Sequence, residues 1–170
     1  MSNDDDTRPD VDDVAEFARW LVNKGKWSVI GTNTSTSTPF TYPVSYTDDD
    51  TGSRLFYLST LDPVEREVTV DVRASFTVSE AYINGCEGAD TQSPTCSKIT
   101  LSGELRNLPA GSKDEARARK ALFKAYPAFN AFPRMNQTFS VYRLEIEAIF
   151  LVSKSAPPRD LTVEAYLDAE

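Results

Sequence analysis

Between Cys86 and Leu105 the chain sets a polar loop directly against a strand, and the rest of the fold must accommodate that joint. The first half, Cys86-Glu-Gly-Ala-Asp-Thr-Gln-Ser-Pro-Thr-Cys96, carries glycine, proline and a cysteine at each end. The second half alternates. Ile99, Leu101 and, past Gly103, Leu105 point one way; Lys98, Thr100, Ser102 and Glu104 point the other. A period of two predicts a half-buried strand. Cys86 and Cys96 are the only cysteines in the chain. Their spacing suits a disulfide, which would restrict the unfolded chain and stabilise the fold by about 3 kcal/mol. Two free neighbouring thiols are the alternative.

The other segments follow from periodicity and punctuation. Residues 1–9 are acidic and read as a solvated, disordered tail, leaving 10–170 as a single domain. Asp10 is a plausible N-cap for a helix ending at Gly25, with Val14, Phe17, Ala18, Leu21 and Val22 on one face. Strands are predicted at 27–34, 40–46 and 54–59. Pro43 makes the second an edge strand or places a bulge there. A short helix is predicted from Pro63 to about Val72, with a strand as the alternative because valine is β-branched, then strands at 74–82 and 97–108. Ser112-Lys-Asp-Glu115 reads as a capping box opening a helix to about Ala125. The basic residues Arg117, Arg119 and Lys120 on that helix read as a solvated face. A last strand covers 139–152, and Thr162 caps a short final helix. There is no repeat and no regular βαβ alternation. The pattern predicts a mostly β fold, a largely antiparallel barrel with peripheral helices.

Composition excludes several kinds of function. The net charge of −8 opposes direct binding to nucleic acid, which needs a cationic face, and to an anionic membrane surface. The chain has no histidine, so the commonest general base and the commonest metal ligand are both missing. A zinc site is not expected, and neither is a Ser-His-Asp or Cys-His nucleophile. The acidic residues Asp48 to Asp50, Glu65 and Glu67 read as solvated charge in turns and on a helix surface. No catalytic residue stands out, so any chemistry would fall to a cofactor. No stretch is apolar enough for a membrane-spanning helix. Two sequons, Asn33-Thr-Ser35 and Asn136-Gln-Thr138, mark Asn33 and Asn136 as glycosylation candidates. With the cysteine pair they favour a secretory route. The chain is then a mature segment without its signal peptide and with an added Met1; a cytoplasmic protein is the alternative.

Several stretches carry a resemblance. Ala18-Arg-Trp-Leu-Val22, Trp27-Ser-Val-Ile30, Phe56-Tyr-Leu-Ser59 and Ala74-Ser-Phe-Thr-Val78 resemble the CREG glycoproteins, as do Leu101-Ser-Gly103 and Thr162-Val-Glu-Ala-Tyr166. The most specific part is Asp90-Thr-Gln-Ser-Pro-Thr-Cys96. The likeness runs in unbroken order over roughly residues 14 to 168. It implies an antiparallel split β-barrel of the pyridoxamine-phosphate-oxidase-like type. It also implies a secreted or endosomal/lysosomal homodimer that acts by binding a protein or receptor. The wider split-barrel group holds FMN at the dimer interface, with the phosphate near the step corresponding to Tyr57-Leu-Ser-Thr-Leu-Asp-Pro-Val64. Ser59 and Thr60 keep the hydroxyls there. The expected basic partner is missing, and the nearby charges, Asp62, Glu65, Arg66 and Glu67, sum negative. Arg54, Arg66 and Arg73 are the candidates to replace it. No bound cofactor is therefore expected, with an FMN-dependent oxidoreductase as the alternative.

Overall fold

The computed structural model describes residues 7–134, 137–153 and 158–169. Helix α1 (Val14–Lys24) leads into β1 (Trp27–Asn33), β2 (Pro39–Ser45) and β3 (Arg54–Ser59). Helix α2 (Pro63–Val68) and β4 (Arg73–Ser79) follow, then a 3-10 turn (Glu80–Ile83) and the cysteine loop. Next come β5 (Lys98–Asn107), α3 (Lys113–Ala125), a 3-10 segment (Pro127–Arg134), β6 (Phe139–Val152) and α4 (Val163–Asp168).

All six strands form one antiparallel sheet in the order β2-β1-β4-β5-β6-β3. The edge strands β2 and β3 curl toward each other, and a bridge pairs Thr47, just beyond β2, with Leu55 in β3. This is the expected barrel, split along the β2–β3 seam. Pro43 sits on an edge strand, where its missing N–H breaks no interior ladder. Ile99, Leu101 and Leu105 point into the core, which α1 closes with Phe17, Leu21 and Val22. A second cluster lies on the opposite face of β3, where Leu55, Tyr57 and Val141 meet Ala118 and Leu122 of α3. Apolar matter therefore covers β3 on both sides, and all six of its residues are buried. Gly103 sits at a register shift between β5 and β6, and a Cβ there would overlap the Glu145 carbonyl.

Several local readings are corrected. Helix α1 begins at Val14, not after Asp10. The Asp10 carboxylate accepts the Asp12 N–H and its carbonyl accepts the Asp13 N–H, so these bonds close a turn before the helix. Gly25 ends α1 in an extended conformation; a side chain there would strike the Tyr46 hydroxyl, so Gly25 serves close approach, not a left-handed cap. Helix α2 stops at Val68, because the β-branched run Val68-Thr-Val70 resists helix. Strand β4 ends at Ser79, whose hydroxyl accepts the Ala81 N–H and starts the 3-10 turn. The capping box is half formed: Ser112 accepts the Glu115 N–H, while the Glu115 carboxylate turns to Arg119. Of the tail, residues 1–6 lie outside the described residues, and Arg8 is tied to Glu80 at 2.7 Å.

The charged residues are corrected further. The Asp49 side chain is 1% exposed and lies between Arg117 at 2.7 Å and Arg143 at 3.7 Å. Asp48 is held by Arg54 at 3.3 Å. Glu67 is buried and accepts the Ser35 N–H at 3.0 Å. Arg119 hydrogen-bonds Glu115 at 2.6 Å and the Tyr57 hydroxyl at 3.1 Å. Asp48, Asp49 and part of the basic helix face are thus ion-paired within the fold, because the 46–50 segment folds back against α3, while Asp50 is exposed as expected. No helix among the described residues is long and apolar enough to cross a membrane.

Candidate functional site

The seam between β2 and β3 opens into a cavity of about 350 Å³. Strand β2 supplies Tyr42 to Ser45, and the end of β3 supplies Tyr57, Leu58 and Ser59. The 3-10 segment and the start of β6 close it with Phe129, Phe132 and Phe139. These rings form a continuous wall. Tyr57 lies 5.5 Å from Phe129 and 5.0 Å from Phe139, and Phe132 lies 4.9 and 5.3 Å from the same two rings. Spacings of this size are favourable for aromatic pairs. Arg119 sits over the Tyr57 ring at 5.3 Å and donates to its hydroxyl. Burial works against the Arg119 charge, but the Glu115 carboxylate and the Tyr57 hydroxyl more than offset it and raise its pKa.

Ser59 lies at the cavity's polar end. Its N–H donates to the Asp62 carboxylate at 2.7 Å, and its hydroxyl accepts the Leu61 N–H at 3.2 Å. Its carbonyl accepts the Asp62 N–H at 2.9 Å. Thr60 is exposed, and its N–H donates to the Thr138 carbonyl at 3.0 Å. The backbone donors that a phosphate would use at this step already have partners, and one of those partners is a carboxylate. Asp62 also occupies the N-cap position of α2, without a side-chain bond to the helix, and Pro63 takes the first helical position, so an acid already stands at the positive end of this short helix.

The candidate replacement cations are elsewhere. Arg54 starts β3, at the strand's far end from Ser59, and is bound to Asp48, Asn23 and Tyr166. Arg66 pairs with Glu67, and Arg73 with Asp71. A phosphate brought to Ser59 and Thr60 would meet Asp62, at roughly 4 kcal/mol of repulsion per pair of unit charges 4 Å apart near a protein surface. The residues present do not fit an FMN phosphate.

The remaining predicted sites are distant from this cleft. Cys86 and Cys96 form a disulfide with Cα atoms 4.8 Å apart. The disulfide closes the loop between the 3-10 turn and β5. Asn33 ends β1, half-buried, and its amide donates to Asp71 at 3.2 Å. Asn136 lies outside the described residues. Among the described residues no cluster of three or more acidic, cysteine or histidine side chains could hold a metal. Sequence reasoning weighed Asp62 only as negative charge, took Tyr57 only as the start of the phosphate step, and did not place Arg119 or the ring wall at the site. The Asp62-Pro63 pair is a helix-start signal and could have placed the carboxylate.

The chain matches known proteins along nearly its whole length. The family model described as CREG, beta-barrel matches residues 9–168. Protein CREG1 of Homo sapiens is 27% identical over 168 residues, covering 93% of this chain and 75% of that protein. Protein CREG2 of Mus musculus is 25% identical over 165 residues, 91% of this chain, and the chain spans 56% of its length. Among solved structures, a heme binding protein from Mycobacterium smegmatis superposes with a TM-score of 0.75 at 24% identity. The match covers 96% of this chain and 62% of that one, and it shows a shared fold.

Proposed function

The chain belongs to the CREG beta-barrel family, and from that premise we propose that it is a non-catalytic binding protein, a homodimer of the secretory or endolysosomal route. It acts by engaging a protein or receptor. The observation that carries this reading is the Asp62 carboxylate on the Ser59 N–H at 2.7 Å, in the place where the wider split-barrel group seats a phosphate. The lack of any histidine supports it, since no imidazole can shuttle protons. The disulfide supports an oxidising compartment. Leu61, at 74% exposure, lies beside the cleft and offers an apolar anchor for a partner.

A second reading keeps a cofactor in the cleft, either FMN or a heme. The aromatic wall and the likeness to the heme binding protein favour it. The residues present limit it: the cavity offers an iron no imidazole, and the Tyr57 hydroxyl is engaged by Arg119. Absorption spectra of the purified protein, with FMN and hemin titrations, decide between the readings. The expected result is a colourless dimer by light scattering, with no saturable spectral change. A flavin or Soret band at near one per chain overturns the first reading.

A further inference from the structure

A second recess lies at the other end of the β2–β3 seam, where Thr47 bridges to Leu55. The 46–50 segment runs along the C-terminal half of α3 and leaves two adjoining cavities of about 390 and 520 Å³. Both are lined by Thr47, Asp48 and Ala125, so they form one trough. Arg54 lines its inner end and is 1% exposed. The Arg54 Nη1 donates to Asn23 and Nη2 to Tyr166, both at 2.9 Å, while its Nε has no hydrogen-bond partner among the described residues. Among the described residues the only carboxylate within ion-pair distance of Arg54 is Asp48, which Arg19 shares at 3.8 Å. Two buried guanidiniums thus divide one acid, and an unpaired buried charge or donor is costly.

The rim adds charge of the same sign. Lys26, Lys120 and Lys124 are exposed and make no ion pair among the described residues. The acids opposite are largely spent. Asp49 is balanced by Arg117 and Arg143, and among the described residues Asp50 makes no ion pair. The C-terminal ends of α1 and α3 oppose an anion with roughly half a charge each. The lysines and the spare guanidinium outweigh these ends and Asp50, leaving the trough positive by about two charges in a chain of net −8. A recess of this size suits a small molecule.

We propose that the trough between the 46–50 segment and α3 binds a small molecule bearing an oxyanion, a phosphate or carboxylate group, held by Arg54 and Lys26 with Lys120 and Lys124 at its outer end. The test is calorimetric titration of the intact protein with inorganic phosphate and with citrate, at fixed ionic strength set by sodium chloride. Saturable binding at one per chain is expected. It should weaken at least tenfold in Lys26→Ala and in the double variant Lys120→Ala/Lys124→Ala. All three lysines are exposed, so both variants should melt as the parent does. Binding of phosphate alone assigns a phosphate ester, and binding of citrate alone a carboxylate. No saturable heat with either probe, or binding unchanged in both variants, overturns the proposal. The Asp62 cleft plays no part in this outcome, so the two sites are tested separately.

Discussion

The Asp62 carboxylate holds the backbone N–H of Ser59 at 2.7 Å, and so fills the anion position of the β3–α2 step with a group of the protein's own. Removing that acid should cost stability and ease anion entry at once. Asp62→Ala should lose about 2 kcal/mol, the usual cost of deleting a hydrogen bond to a charged acceptor, measured by urea unfolding. Asp62→Ser with Glu65→Lys should bind FMN at least tenfold more tightly than the parent by fluorescence quenching. Unchanged FMN binding in that double variant would mean that Asp62 is not what keeps the phosphate out.

The disulfide closes a ten-residue separation in front of the core strand β5. Cys96 is fully buried and the Lys98 ammonium ties the loop through the Thr91 and Ser93 carbonyls at 2.9 and 3.1 Å. Cys86→Ser/Cys96→Ser should therefore lose about 3 kcal/mol by raising the entropy of the unfolded chain. Intact mass with alkylation should rise by two labels only after reduction. Labelling of the unreduced protein would show free thiols.

The strands and helices were legible because their signals are local. Alternation in Ile99, Leu101 and Leu105, Pro43 at an edge and the Ser112 and Thr162 caps each depend on a few neighbours. The charged network was not legible. Asp48 and Asp49 stand in a Gly-containing acidic turn that reads as solvent-facing, yet their partners, Arg19, Arg54, Arg117 and Arg143, come from α1, β3, α3 and β6. Only the fold brings those four elements to one place. The cleft was half legible: Ser59 and Thr60 were found, whereas the ring wall joins Tyr57 to Phe129 and Phe139, far along the chain.

Arg8 and Glu80 form the one ion pair linking the described N-terminal segment to the far end of β4. The Glu80 side chain is 1% exposed, and its second oxygen accepts the Ser97 N–H at 3.2 Å. Arg8 also lies 4.9 Å above the Phe17 ring. Arg8→Ala should leave a buried carboxylate short of a partner and cost about 2 kcal/mol in urea unfolding. Arg8→Ala with Glu80→Gln should recover part of that loss. A single variant as stable as the parent would show that solvent already satisfies Glu80.

Acid should unfold the protein partly through Asp49. Burial pushes this carboxyl up, but hydrogen bonds from Thr51 and Arg117, with the charges of Arg117 and Arg143, outweigh it and set its pKa below the ordinary value. A group depressed in the folded state gives stability that is complete above its unfolded value, near 3.9 for aspartate. That stability is lost as the pH falls through the lower folded value, because the unfolded chain then takes up the proton first. Asp49→Asn should therefore be less stable than the parent at pH 7 and lose less on going from pH 5 to pH 2. Parallel stability curves for the two proteins across that range would show that Asp49 is not among the acid-sensitive contacts.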